Sequence, residues 1–155
     1  MVSLSPYRMI ATSNPLPEVI RAQVVARLQV TLSALLNCAA VVWTAHWNIR
    51  GLDYEGTHKR YGKIVEDAHA AVDSVAEMMR QLGGEPVATA ATGQLVPGGS
   101  YGTLVIGTLA RLLAGLRGDV AALSVDLVAQ NLLIEIATTM QKHLWAVEAG
   151  QGQQK

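Results

Sequence analysis

The sequence predicts an all-α fold, a four-helix bundle with one long crossover between its second and third helices. Three observations carry this. Four segments place apolar residues at helical spacing, Gly and Pro punctuate the gaps between them, and the three connections run short, long, short. No strand-like alternation competes with the helical segments.

Asn14-Pro15-Leu16-Pro17-Glu18 reads as a helix start with an acid in the first turn. From there α1 is expected to run to about Ala45, with Val24, Leu28, Leu32, Leu35 and Val42 at helical spacing, until Gly51 breaks it. Asp53 is the expected N-cap of α2, which reaches Leu82 and stops at Gly83-Gly84, with Pro86 beyond. Residues 84–100 are rich in Gly, Pro, Ala and Thr and form the long link. Helix α3 is expected from about Tyr101 to Gly118, weakened by Gly107 and Gly115, and α4 from about Ser124 to Ala149. One folded unit, 15–149, thus stands between a flexible N-terminal tail, 1–14, and a disordered C-terminal tail, 150–155.

Connection length constrains the topology. Links of about 2–8 residues join antiparallel neighbours. The second link, of about 17 residues, spans up to roughly 55 Å when extended. A helix of about 28 residues is roughly 42 Å long. The link is therefore long enough to return along the whole bundle, the arrangement with one long crossover; a disordered link in a simple up-down bundle is the alternative.

Composition narrows the function classes. Hydrophobic residues make up 50% and charged residues 15%, a low charged fraction for a small monomer, so further surface is expected to be buried in an assembly. Twelve basic and twelve acidic side chains cancel, which gives no global attraction to nucleic acid or anionic lipid. The single cysteine, Cys38, sits among apolar residues and reads as a small buried hydrophobe, and no intrachain disulfide is available, as suits a reducing cytoplasm. The N-terminus lacks a signal-peptide pattern. Leu28 to Ala45 is an uncharged run of 18, long enough to suggest a membrane span, but Gln29, Thr31, Ser33, Asn37 and Thr44 interrupt it; a helix buried by protein is expected instead.

The chemistry concentrates around Ala45-His46-Trp47-Asn48-Ile49-Arg50-Gly51 and His58. Imidazole and carboxylate together suit iron, zinc or manganese. Glu-x-x-His occurs at Glu55–His58 and at Glu66–His69, but both lie on α2, about 16 Å apart along the axis, and cannot share one centre within a chain. His46 and His58 flank the α1–α2 turn and can approach each other. Asp73 and Glu77 stand one turn apart on one face of α2. His58 and Asp73 are about 22 Å apart on a straight helix, yet return to nearly the same face. Two antiparallel copies of α2 about a two-fold axis would bring His58 of one chain to Asp73 and Glu77 of the other, making two identical sites. The alternative is two satisfied histidines at a turn and two solvated acids.

At these positions the sequence resembles the Dps family, the mini-ferritins of the ferritin superfamily. The matching elements are His46-Trp47-Asn48-x-x-Gly51, His58, Asp73-x-x-x-Glu77, Leu82-Gly83-Gly84-x-Pro86 and, near the end, Leu144-Trp145-x-x-Glu148-Ala149. The resemblance covers about Leu16 to Ala149. It implies a ferritin-like bundle assembled into a dodecameric hollow shell that oxidises Fe(II), typically with hydrogen peroxide and otherwise with oxygen, and stores the ferric product against oxidative damage. It implies that His46 and His58 from one chain, with Asp73 and Glu77 from its partner, hold at most two irons per shared site. Trp47 would lie beside that centre, as a scavenger of oxidising equivalents or simply as packing.

The chain also departs from the family. Gly62 stands where an Asp ligand is usual, four residues after His58, so the second iron should bind less well. Lys59, Arg60 and Lys63 occupy a region that often carries mineral-nucleating acids. Asp126 and Glu135 on α4 are candidates for an acid-lined three-fold pore, with Asn131 where an Asp is common. Residues 1–20 contain only Arg8 as a base and the last six only Lys155, so tail-mediated DNA binding is not expected. His69 and His143 match no ligand position and read as structural or surface residues. A non-catalytic shell that binds metal weakly, or binds zinc, is the main rival; a DNA-compacting protein without redox work is the third reading.

Overall fold

In the computed structural model, which describes residues 8–151, four helices follow one another: α1 Glu18–Asn48, α2 Tyr54–Gln81, α3 Gly102–Ala122 and α4 Leu127–Gln151. A single 3-10 turn, Pro97–Gly99, interrupts the long link. Among the described residues there is no strand. Helix α1 packs on α2 and α3, and α4 packs on α3 and α2.

The crossover runs the length of α1, as its reach allows. Gly84 lies against Val25, Val87 exchanges two hydrogen bonds with the Gln29 amide group (2.8 and 2.9 Å), Gly93 lies against Thr44, and Gly99 reaches the Asn48 carbonyl. The link therefore starts beside the first turns of α1 and ends beside its last. This accounts for one polar residue that interrupts the apolar run: Gln29 is buried because the crossover backbone satisfies its amide. By length and composition α1 could cross a membrane, but here it is a core helix, with Val24, Leu28, Leu35 and Val42 fully buried. Each such Leu contributes about 2 kcal/mol by leaving water.

Local chemistry explains the ends. The Asn14 side chain accepts from the Leu16 amide, just ahead of α1. At the other end of α2, Gly83 takes a positive φ of 88° and the Gly84 amide donates to Met79, a glycine-terminated cap. Buried Arg21 donates to the Leu16 and Leu82 carbonyls, tying the start of α1 to the end of α2. Cys38 is buried, and that burial pushes its thiol up to about 12.

Beyond shifts of three or four residues at the end of α1, the end of α3 and the start of α4, three details differ from expectation. Asp53 occupies the N-cap position of α2 but makes no side-chain capping bond; its carboxylate lies over Gly56 instead. Residues 8–14, expected as part of a flexible tail, are docked: the Ile10 amide donates to the Gly83 carbonyl at 2.7 Å and Met9 packs on the core. Helix α4 continues through Gly150 and Gln151, expected as disordered tail. The rest of the two expected tails, residues 1–7 and 152–155, lies outside the described residues.

Candidate metal centre

His46 lies in the last turn of α1 and His58 in the second turn of α2, so the turn between them, 49–53, folds the two rings together. The rings stack with centroids 3.7 Å apart and planes 19° from parallel. Each Nδ1 meets the other residue's backbone carbonyl, His46 Nδ1 at 2.7 Å from His58 O and His58 Nδ1 at 2.8 Å from His46 O. A carbonyl oxygen can only accept, so both Nδ1 atoms carry the proton and donate. In the neutral ring this leaves both Nε2 lone pairs free, the arrangement in which a backbone partner fixes the tautomer of a metal-binding histidine. Both side chains are half-buried, and Tyr54 stacks on the outer side of the pair, its centroid 5.1 Å from His58.

The stack also limits what the pair can do. A metal about 2.1 Å from an imidazole nitrogen lies in that ring's plane. With the planes nearly parallel, an ion bound to one ring lies off the plane of the other. The pair therefore suits two neighbouring positions better than chelation of one ion by both rings.

Asp73 and Glu77 are exposed on α2. Among the described residues no three His, Cys, Asp or Glu side chains gather closely enough within one chain to hold a metal ion. One chain thus supplies a pair of imidazoles at one end of α2 and a pair of carboxylates near the other, and it does not bring them together. Trp47 is exposed, its ring tilted 35° against Trp43 with centroids 5.1 Å apart, and Trp43 meets His69 edge-on at 5.2 Å.

Gly62 has a specific neighbour. A Cβ at this position would stand 3.0 Å from His46 Cε1 and 3.4 Å from its Nδ1. The glycine is therefore a close approach to the chain's own histidine as well as a lost carboxylate. The sequence suggested the lost carboxylate and a close approach of a neighbouring α2, whereas the neighbour is His46 of α1, because residues 16 positions apart meet only once the turn is folded. The stacking of Tyr54, one helical turn before His58, was available from their spacing.

The remaining candidates fall elsewhere. Asp126 is not on α4 but is its N-cap: Oδ1 accepts from the Val128 and Ala129 amides (3.1 and 3.2 Å), and the residue is buried. That gives it a capping role, because the helix begins three residues later than the sequence suggested. Glu135 is exposed on α4 and accepts from Asn131 at 3.3 Å. Lys63 pairs with Asp67 (3.0 Å) and Glu66 (3.4 Å), so Glu66 is already engaged. His143 is buried and its Nε2 meets Asp67 Oδ2 at 2.7 Å.

Four helices with one full-length crossover, and a histidine pair at the α1–α2 turn, define a ferritin-like protein. The chain belongs to the ferritin-like domain family, which matches residues 25–153. Within it, the chain's similarities are to Dps proteins. It is 25% identical over 142 residues to a DNA protection during starvation protein of Brevibacillus brevis, covering 79% of this chain and 95% of that one. In fold it is similar to Mycobacterium smegmatis Dps (TM-score 0.81, 24% identity, 90% of this chain and 93% of that one). It is also similar to an archaeal Dps homologue from Halobacterium salinarum (TM-score 0.85, 16% identity, 100% and 93%). A third similar structure, from Vibrio cholerae, is described as a member of a broad superfamily of ferritin-like diiron-carboxylate proteins (TM-score 0.80, 19% identity, 94% and 99%).

Proposed function

We propose that this chain is a cytoplasmic iron-oxidising and iron-storing mini-ferritin that forms a twelve-subunit shell, with its oxidation sites shared between two-fold-related subunits. The observation that carries the reading is the reciprocal histidine pair, which leaves two Nε2 lone pairs free and held in place at a half-exposed surface. A pair of exposed carboxylates on α2, part of no metal-holding cluster among the described residues, supplies the complementary half. The exposed apolar side chains beside the histidines, Trp43, Trp47, Leu52 and Tyr54, supply contact area for the second subunit.

Fe(II) is the substrate. His46 and His58 bind it through Nε2, and Asp73 and Glu77 of the partner complete the coordination with hard oxygen that also suits Fe(III). Peroxide takes two electrons. Two Fe(II) ions in neighbouring positions supply them together, giving two Fe(III) and, with two protons, two waters. A single Fe(II) would supply one electron and release a hydroxyl radical. The position nearest Gly62 has one carboxylate fewer than the family pattern, so the two ions are held unequally and the second is completed by water. Trp47, exposed beside the pair, is placed to take up a stray oxidising equivalent.

Anaerobic Fe(II) titration followed by peroxide, watched by absorbance, tests the reading. Rapid oxidation at about two irons per shared site is expected. Oxidation at buffer background together with tight Zn(II) binding would instead favour the inert shell, the reading that the missing carboxylate at Gly62 supports. A native mass near twelve protomers is expected, and a monomer would overturn the shared site. Gel shifts across a salt series are expected to show no DNA binding at physiological salt.

A further inference from the structure

We propose that Gly62 is a positioning residue for the metal centre: its missing side chain is what allows His46 to stack on His58 with both Nδ1 protons on backbone carbonyls. This deepens the metal-binding reading and rests on it. A glycine at the ninth residue of a 28-residue helix is an unfavourable choice for the helix alone, where alanine is the better former. Nothing in the backbone asks for it, since Gly62 is not among the residues of positive φ. What asks for it is the imidazole of His46, whose Cε1 lies 3.0 Å from the place a Cβ would take. A Cβ there would require the ring to retreat by a few tenths of an ångström. That ring is already held by its 3.7 Å stack on His58 and its 2.7 Å bond to the His58 carbonyl, so a retreat disturbs one of them. The chain has thus given up a carboxylate and gained a pre-set orientation for two nitrogen ligands. A substitution at Gly62 acts through His46, and adding an acid there does not simply add a ligand.

Two measurements test this. The first needs no metal. Gly62→Ala is introduced into the full-length protein and into a His46→Ala background, and thermal midpoints are compared. With His46 absent the methyl has room and alanine's helix preference should raise the midpoint; with His46 present the gain should be smaller or reversed. Equal gains in both backgrounds mean that Gly62 and His46 are uncoupled, which overturns the proposal. The second measures Co(II) affinity by calorimetry, with the visible absorption of the bound ion reporting its coordination. Gly62→Ala is expected to weaken Co(II) binding about tenfold, the scale on which groups that orient metal ligands act. It should also change the Co(II) spectrum while the shell stays assembled. A bound ion whose affinity and spectrum ignore Gly62→Ala overturns this role alone. Failure of the unmodified protein to bind Co(II) overturns the metal reading and this role with it. Retention of Co(II) by Asp73→Ala but not by His46→Ala would overturn the sharing of the site while supporting the imidazole pair.

Discussion

Two histidine sites on α2 show what makes one histidine available and another structural. At the α1–α2 turn, His46 and His58 spend Nδ1 on each other's carbonyl and keep Nε2 free. Midway along α2, Asp67 takes the Nε2 of buried His143 from α4, and Lys63 closes on the same carboxylate. His143 Nδ1 is buried without a partner. The first site is half-exposed and has ligand capacity to spare. The second has none that a solvent ion can reach. Exposure and the nitrogen that is already occupied separate the two, and residue type does not.

The largest expected effect tests that contrast directly. His46→Ala, or Asp73→Ala, should reduce peroxide-driven Fe(II) oxidation to buffer background, whereas His143→Ala should leave oxidation by the assembled shell within about twofold, a difference of well under 1 kcal/mol. Mixing His46→Ala with Asp73→Ala chains should restore part of the activity, because some interfaces then pair an intact imidazole side with an intact carboxylate side. Absence of any recovery would argue against sites shared between chains.

Stability should order the sites the other way. His143→Ala removes a buried ring and its bond to Asp67 and should cost about 2 kcal/mol in chemical unfolding. His46→Ala removes a half-exposed ring and one carbonyl bond and should cost about 1 kcal/mol. A larger loss at His46 would break the distinction.

The Asp67 carboxyl sharpens it further. Burial alone would raise its affinity for a proton, but the His143 bond, then the Lys63 bond and charge, outweigh this and hold it below the ordinary carboxylate range. A carboxyl depressed in the folded state stabilises fully above its unfolded value, about 3.9, and that stabilisation is lost as pH falls through the lower folded value. Asp67→Asn should therefore flatten the fall of thermal midpoint below about pH 4, seen by circular dichroism from pH 7 to 2.5. An unchanged acid limb would mean that Asp67 is not linked to folding. The smallest expected effect is Lys63→Met: its ammonium is exposed and screened by solvent and salt, so the midpoint at neutral pH should fall only slightly, by less than for either histidine.

Much of the fold was legible because it follows from local rules. The apolar spacing of Val24, Leu28, Leu32 and Leu35, the Gly83-Gly84 stop and the length of the 84–100 link are read along the chain. Each constrains the backbone within a few residues or by simple reach. The existence and order of four helices, the full-length crossover and the identity of His46, His58, Asp73 and Glu77 as the ligand candidates come from the sequence. Tertiary structure alone decided that residues 8–14 are docked on Gly83 and that His143 belongs to Asp67. It also decided that Gly62 faces the ring of His46. Each of these depends on an atom from a distant part of the chain arriving within about 3 Å, and hydrogen bonds and steric contact fall off too steeply for spacing along the sequence to reveal them.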